Sequence, residues 1–243
     1  MELLKEKIIK SIVFWVLATI NIVILSIMCF ALIAFIQSKL FLPNDYILWV
    51  FKYPASRLVF IYEIYFLLLF LYIANKRLTK FKIPFVDSIT NSIKKNKKSF
   101  IAVFTTINII LLYIIIVNVS VVSNNKIKDY SVFSPSGREY SYKDIVSIDT
   151  GVYGNKIRLP FMHYKGEFYY IIEFNDGRKI NINDSVGGTN GNDDIYKIFE
   201  DLDTSFVNMG IKKTASMENF EFLSQRTDKK HSDRIKGILE NVK

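Results

Sequence analysis

The side chains with the widest chemical reach in this 243-residue sequence are few and scattered. His163 and His231 are the only histidines and Cys29 is the only cysteine, and none has partners at metal-ligand spacing. A zinc site, a histidine-based triad and an intrachain disulfide are therefore not expected, and both histidines read as surface residues. The sequence has no GxSxG elbow, HExxH pair or GxxxxGK(S/T) phosphate loop. Gly187, Gly188 and Gly191 lack a lysine or threonine in phosphate-cradle order and read as a flexible connector. Asp193, Asp194, Glu200, Asp201 and Asp203 crowd one helical segment without the DxDxDG calcium pattern, which reads as a solvated acidic face. The expectation is a non-enzymatic protein with no metal and no cofactor.

Chemistry remains conceivable inside the apolar runs. Glu63 is the one acid within them, and an ionised carboxylate in hydrocarbon costs roughly 2.5–3.5 kcal/mol, so it needs a proton, a partner or water. With no second charge to complete a pathway, the favoured reading is a structural acid. The alternative is a relay in an oligomeric transporter or channel subunit. Asn21 and Asn108 fall at similar depths in the first and third runs and are expected to bond to each other between helices. Phe85, Ile89 and Ile93 recur at i, i+4, i+8 after Pro84 and lead into Lys94, Lys95, Lys97 and Lys98. That pattern suits an interfacial helix, and the lysines are candidates for contact with anionic lipid.

These residues must be held by membrane-spanning helices. Residues 12–37, 58–74 and 100–122 are uncharged apart from Glu63 and approach or exceed the about 20 residues needed to cross a bilayer as helix. Such continuous runs cannot be barrel strands. Residues 1–123 hold 14 Lys and Arg against 5 Asp and Glu, whereas residues 124–243 hold 18 of each. The excess positive charge thus lies beside the spans rather than on a soluble surface, which argues against a nucleic-acid partner. The basic loop 75–99, with Asp87 as its single acid, is expected in the cytoplasm together with the N-terminus. Three crossings then place the C-terminal domain outside the cytoplasm of a multi-pass cell-membrane protein. Between Pro43 and Pro54 there are only ten residues, about 15 Å of helix, so this aromatic segment is expected to lie at the outer interface rather than to cross.

Residues 124–243 change to strand-like segments punctuated by turns. YSVF, SPSG and REYSY read as one hairpin turning at Pro135–Gly137, and Ile145, Val146 and Ile148 as a further strand. GEFYYIIEF, NDG and RKINI read as a second hairpin turning at Asp176–Gly177. An amphipathic helix follows, capped by Asn192, with Ile195, Ile198, Phe199, Leu202 and Phe206 as its stripe and Gly210 as terminator. Phe220 with Leu223, and Ile235, Ile238, Leu239 and Val242, suggest two more helices. The sum is a transmembrane α-helical domain, 1–123, followed by a soluble α+β domain with an antiparallel sheet and amphipathic helices.

REYSYKDIVSI followed by FYYIIEFNDGRKINI and the helix resembles the pleckstrin-homology-like domains attached to spans in bacterial multi-pass membrane proteins, over Asp129 to Phe206. The resemblance implies a partly closed antiparallel sheet with a capping helix, used for binding or assembly with a protein partner.

Overall fold

The computed structural model describes residues 2–77, 84–154, 163–191 and 194–242. The expected cap Asn192, with Asp193, lies outside the described residues, as do Lys80 and Lys82 and the side chains of Phe85 and Ile89. The chain divides into two compact units, Met1–Ile36 with Leu58–Ile115, and Gln37–Arg57 with Ile116–Lys243.

Among the described residues the first unit draws on four helices: α1 (Glu2–Phe41), α2 (Phe60–Arg77), α3 (Pro84–Lys95) and α4 (Lys97–Val117). The segments Ser11–Phe41, Ala55–Lys76 and Lys97–Val117 are long and apolar enough to cross a membrane. Along them Ile12, Leu17, Ile24, Leu67 and Ile109 are exposed. The third helix ends at Val117 instead of running to 122. Val119, Val121 and Val122 are β-branched, and residues 119–123 satisfy their backbone groups in a sheet instead of continuing the helix.

Among the described residues the second unit contains nine strands: β1 (Tyr46–Phe51), β2 (Val119–Ser123), β3 (Lys126–Ser131), β4 (Ser134–Ser141), β5 (Ile145–Val152), β6 (Phe168–Phe174), β7 (Lys179–Asn181), β8 (Val186–Thr189) and β9 (Lys212–Ala215). They form one sheet in the order β4-β3-β2-β1-β8 and another in the order β7-β6-β5-β9. All pairings are antiparallel except β5 with β9.

The aromatic segment expected at the interface is a central strand. β1 pairs with β2 (Trp49 opposite Val121, Phe51 opposite Val119) and with β8 (Leu48 opposite Thr189, Trp49 opposite Gly188). With neighbours on both edges and both faces, Leu48, Trp49, Val50 and Phe51 are buried in succession, so the strand lacks the polar alternation that marks a half-exposed one. The glycine stretch is likewise not a free connector. A Cβ built on Gly187 would lie 2.3 Å from the Trp49 ring, and one on Gly188 3.2 Å from Trp49 Nε1, so the indole occupies the space that side chains on β8 would need. The first hairpin turns at Val132–Phe133, before the SPSG segment, which begins β4. Gly137 adopts φ 80° within that strand, packed under the Tyr130 ring.

A single core joins both sheets to α5 (Ile195–Asn208), α6 (Phe220–Ser224) and α7 (Lys229–Glu240), with Leu48, Val122, Ile148, Tyr170, Phe199 and Ile238 among its members. The α5 stripe points inward as expected, and Asp194 is its cap, accepting from Tyr196 N–H at 3.0 Å. Its acidic face is not wholly solvated. Asp203 is buried and pairs with the equally buried Lys213 of β9 at 2.5 Å, while accepting from the Tyr170 hydroxyl (2.8 Å) and Asn241 Nδ2 (2.7 Å). Lys213 also donates to the carbonyls of Ile238 (2.6 Å) and Asn241 (3.1 Å), tying the end of α7 to the sheet. A second buried carboxylate, Asp129 on β3, accepts from Lys52 Nζ (2.7 Å), Ser120 Oγ (2.6 Å) and Arg178 Nη1. It thereby fastens the end of β1 to β2, β3 and the β6–β7 turn.

Candidate functional site

In the helical unit, α3 lies against α2 and α4. Its N-terminal turn is fixed by Asn75 Nδ2, which donates to Asp87 Oδ1 at 2.8 Å, and Ala74 and Val86 are buried there. Ile93 is half-buried on the same side, while Asp87 and Ser88 face outward, so one face of α3 meets its neighbours. Between the three helices runs a groove of about 690 Å³, walled by Tyr65 and Leu68 of α2, Val86 of α3 and Phe104 and Ile107 of α4. Tyr65 and Phe104 meet at 5.4 Å between ring centroids, and Phe104 stacks on Phe100 at 5.6 Å. Lys94 and Lys97 also line it, whereas Lys95 and Lys98, equally exposed, do not. Of the four lysines singled out from sequence, two thus border an apolar recess. The volume falls within the range of about 300–1,000 Å³ usual for small-molecule sites.

The polar residues within the apolar helices do not converge. Asn21 Nδ2 donates to the Leu17 carbonyl and Asn108 Nδ2 to the Phe104 carbonyl, both at 2.8 Å, so each amide bonds back along its own helix rather than across to the other. Glu63 is half-buried and has no hydrogen bond or ion pair among the described residues. No group of His, Cys, Asp and Glu there could hold a metal ion.

Neither histidine is a fully exposed surface residue. His231 Nε2 lies 3.1 Å from Asp194 Oδ2 and its Nδ1 3.0 Å from Asp228 Oδ2, bridging the caps of α5 and α7. His163 stacks between Tyr153 (4.2 Å, interplanar 10°) and Tyr53 (4.8 Å), and its Nδ1 is 3.4 Å from Glu167 Oε2. Asp184 is close by, accepting from Tyr53 N–H at 3.3 Å and from Asn181 Nδ2 at 2.8 Å. Burial raises the Asp184 carboxyl, against the lowering influence of these donors and of His163. Burial acts on Glu167 in the same sense, but the His163 imidazole and the Tyr164 N–H outweigh it and bring that carboxyl below its ordinary value. Burial, with Asp184 and Glu167 nearby, also pushes the Tyr153 hydroxyl well up. The cluster gathers one imidazole, two carboxyls and two phenols. Its members come from residues 53, 153, 163, 167 and 184, a spread with no local sequence signal.

Comparison of the chain with family models, with curated proteins and with solved structures gave no match.

Proposed function

We propose that this chain is a non-enzymatic integral membrane protein of three crossings that displays its sheet unit outside the cytoplasm for binding, sensing or complex assembly. Three sufficiently long apolar helices support insertion, and the lysines of residues 75–99 support a cytoplasmic location for that linker and for the N-terminus. Two sheets around one core that α5 also enters support the likeness to pleckstrin-homology-like domains and hence a protein partner for this unit.

The observation that carries the reading is the place of β1. It is flanked in sequence by the first and second apolar helices, yet it pairs on both edges within the sheet, and β2 begins two residues after the third helix ends. Each span therefore leads by a short connection into a central strand. A unit whose central strands are contributed by the segments next to the apolar helices suits a sensor or assembly module.

Single-cysteine labelling in a Cys29→Ser background tests the arrangement. Phe133→Cys, at a position 96% exposed on a hairpin tip, should react with a membrane-impermeant maleimide on intact cells. Lys95→Cys should react only after permeabilisation. The converse pattern refutes the proposed orientation, and extraction of the protein by alkaline carbonate refutes insertion.

A further inference from the structure

The groove between α2, α3 and α4 combines two features that seldom serve the same ligand unless it is amphiphilic. Its wall is aliphatic and aromatic, with Leu68, Phe104 and Ile107 all exposed to the recess, and nothing among the described residues fills it. Its border carries Lys94 and Lys97, neither of which has a carboxylate partner among the described residues. The one acid of α3, Asp87, is engaged by Asn75. We propose that this groove binds an anionic phospholipid, with an acyl chain against the Leu68, Phe104 and Ile107 wall and the phosphate at Lys94 and Lys97.

Charge complementarity selects the headgroup. Two ammonium groups without a carboxylate partner among the described residues attract a phosphate. The wall selects the remainder of the ligand, because a free anion would leave it bare, whereas a hydrocarbon chain covers it without ordering water. Its continuity with the exposed apolar faces of α2 and α4 gives a chain direct access from the bilayer. A diffuse attraction between a basic loop and a charged leaflet would use all four lysines alike. Seating in the groove singles out two. The inference rests on the membrane reading above.

Native mass spectrometry of the purified full-length protein, loaded with phosphatidylglycerol or phosphatidylcholine of matched acyl chains, tests it. Phosphatidylglycerol is net anionic, whereas choline offsets the phosphate of phosphatidylcholine; at about fivefold for each lysine beside an anionic headgroup, the pair should favour phosphatidylglycerol by up to roughly 30-fold. Lys94→Gln/Lys97→Gln should abolish the preference. Lys95→Gln/Lys98→Gln, with the same change in net charge, should leave it intact. Leu68→Trp, which fills the groove, should reduce retention of both lipids. The proposal is overturned if the two lysine pairs behave alike, if phosphatidylglycerol shows no preference, or if inorganic phosphate displaces it and so reveals a headgroup-only site. The comparison of lysine pairs stands even if Leu68→Trp does not fold. A failure of the membrane reading appears separately, as loss of the protein from carbonate-washed membranes.

Discussion

Replacing Gly187 with alanine tests directly whether the segment between the first two apolar helices is a strand. The added methyl would sit 2.3 Å from Cη2 and Cζ2 of Trp49, whereas carbon atoms in contact rest at about 3.5–4.0 Å. Something must therefore move by more than about 1 Å. The indole cannot yield easily, since Trp49 is buried in β1 between β2 and β8. Overpacking of this kind costs about 1–3 kcal/mol. The Gly187 backbone is not left-handed, so alanine gains back about 0.4–1 kcal/mol by restricting the unfolded chain. A net loss of about 1–2 kcal/mol corresponds to a fall in Tm of roughly 2–8 °C for a chain of this size. The assay is thermal unfolding of the purified full-length protein, followed by tryptophan fluorescence, since Trp15 and Trp49 are the only tryptophans. In a double-mutant cycle with Trp49→Leu, the penalty for Gly187→Ala should largely vanish, giving a coupling of about 1 kcal/mol. Additivity within about 0.3 kcal/mol, or a silent single variant, would refute the pairing of β1 with β8.

A fragment beginning at Asn124 lacks β1 and β2 and should be recovered unfolded or aggregated; a cooperative unfolding transition in that fragment would contradict the observed sheet. Lys213→Met leaves Asp203 buried without its counter-charge and should cost about 3–5 kcal/mol, read as a lowered midpoint in chemical denaturation, with much of the loss relieved in Lys213→Met/Asp203→Leu. Because burial raises the folded-state value of Asp184, its contribution to stability is complete below the unfolded carboxyl value and is lost as pH rises through the folded one. The Tm of Asp184→Asn relative to the unaltered protein should accordingly rise between pH 3.5 and pH 7, and a flat difference would rule out the raised value.

Where a segment's apolar pattern reported its own surroundings, it was legible. The runs that became α1, α2 and α4 are continuous because every face of such a helix is apolar, and the β6–β7 hairpin turns at Gly177 with φ 78°, where Asp176–Gly177 announced it. The α5 stripe was also visible, as Ile198, Phe199, Leu202 and Phe206 follow helical spacing into the core. β1 was not, because a short apolar run between two prolines has the same composition whether it lies at an interface or between two strands. Its partners, Val119–Ser123 and Val186–Thr189, are remote in sequence, and one was hidden at the end of an apolar run and the other among glycines. Asp203 and Lys213 were obscure for a similar reason. Each resembles an ordinary surface charge until the fold brings them to 2.5 Å. At the groove, the lysines were conspicuous, but only the packing of α3 separates Lys94 and Lys97 from Lys95 and Lys98.

The distance along the chain between Trp49 and Gly188 also dictates an order of manufacture. Leu48, Trp49 and Val50 leave the ribosome just behind the first apolar helix, but one edge of their strand finds its neighbour only after the other two such helices and most of the second unit have been synthesised. Until then a strongly apolar strand waits with open hydrogen-bonding groups, a state prone to mispairing with other nascent chains. Slower elongation or a holding chaperone during that interval should raise the yield of native protein, and premature termination before residue 186 should leave products that aggregate through the unfinished edge.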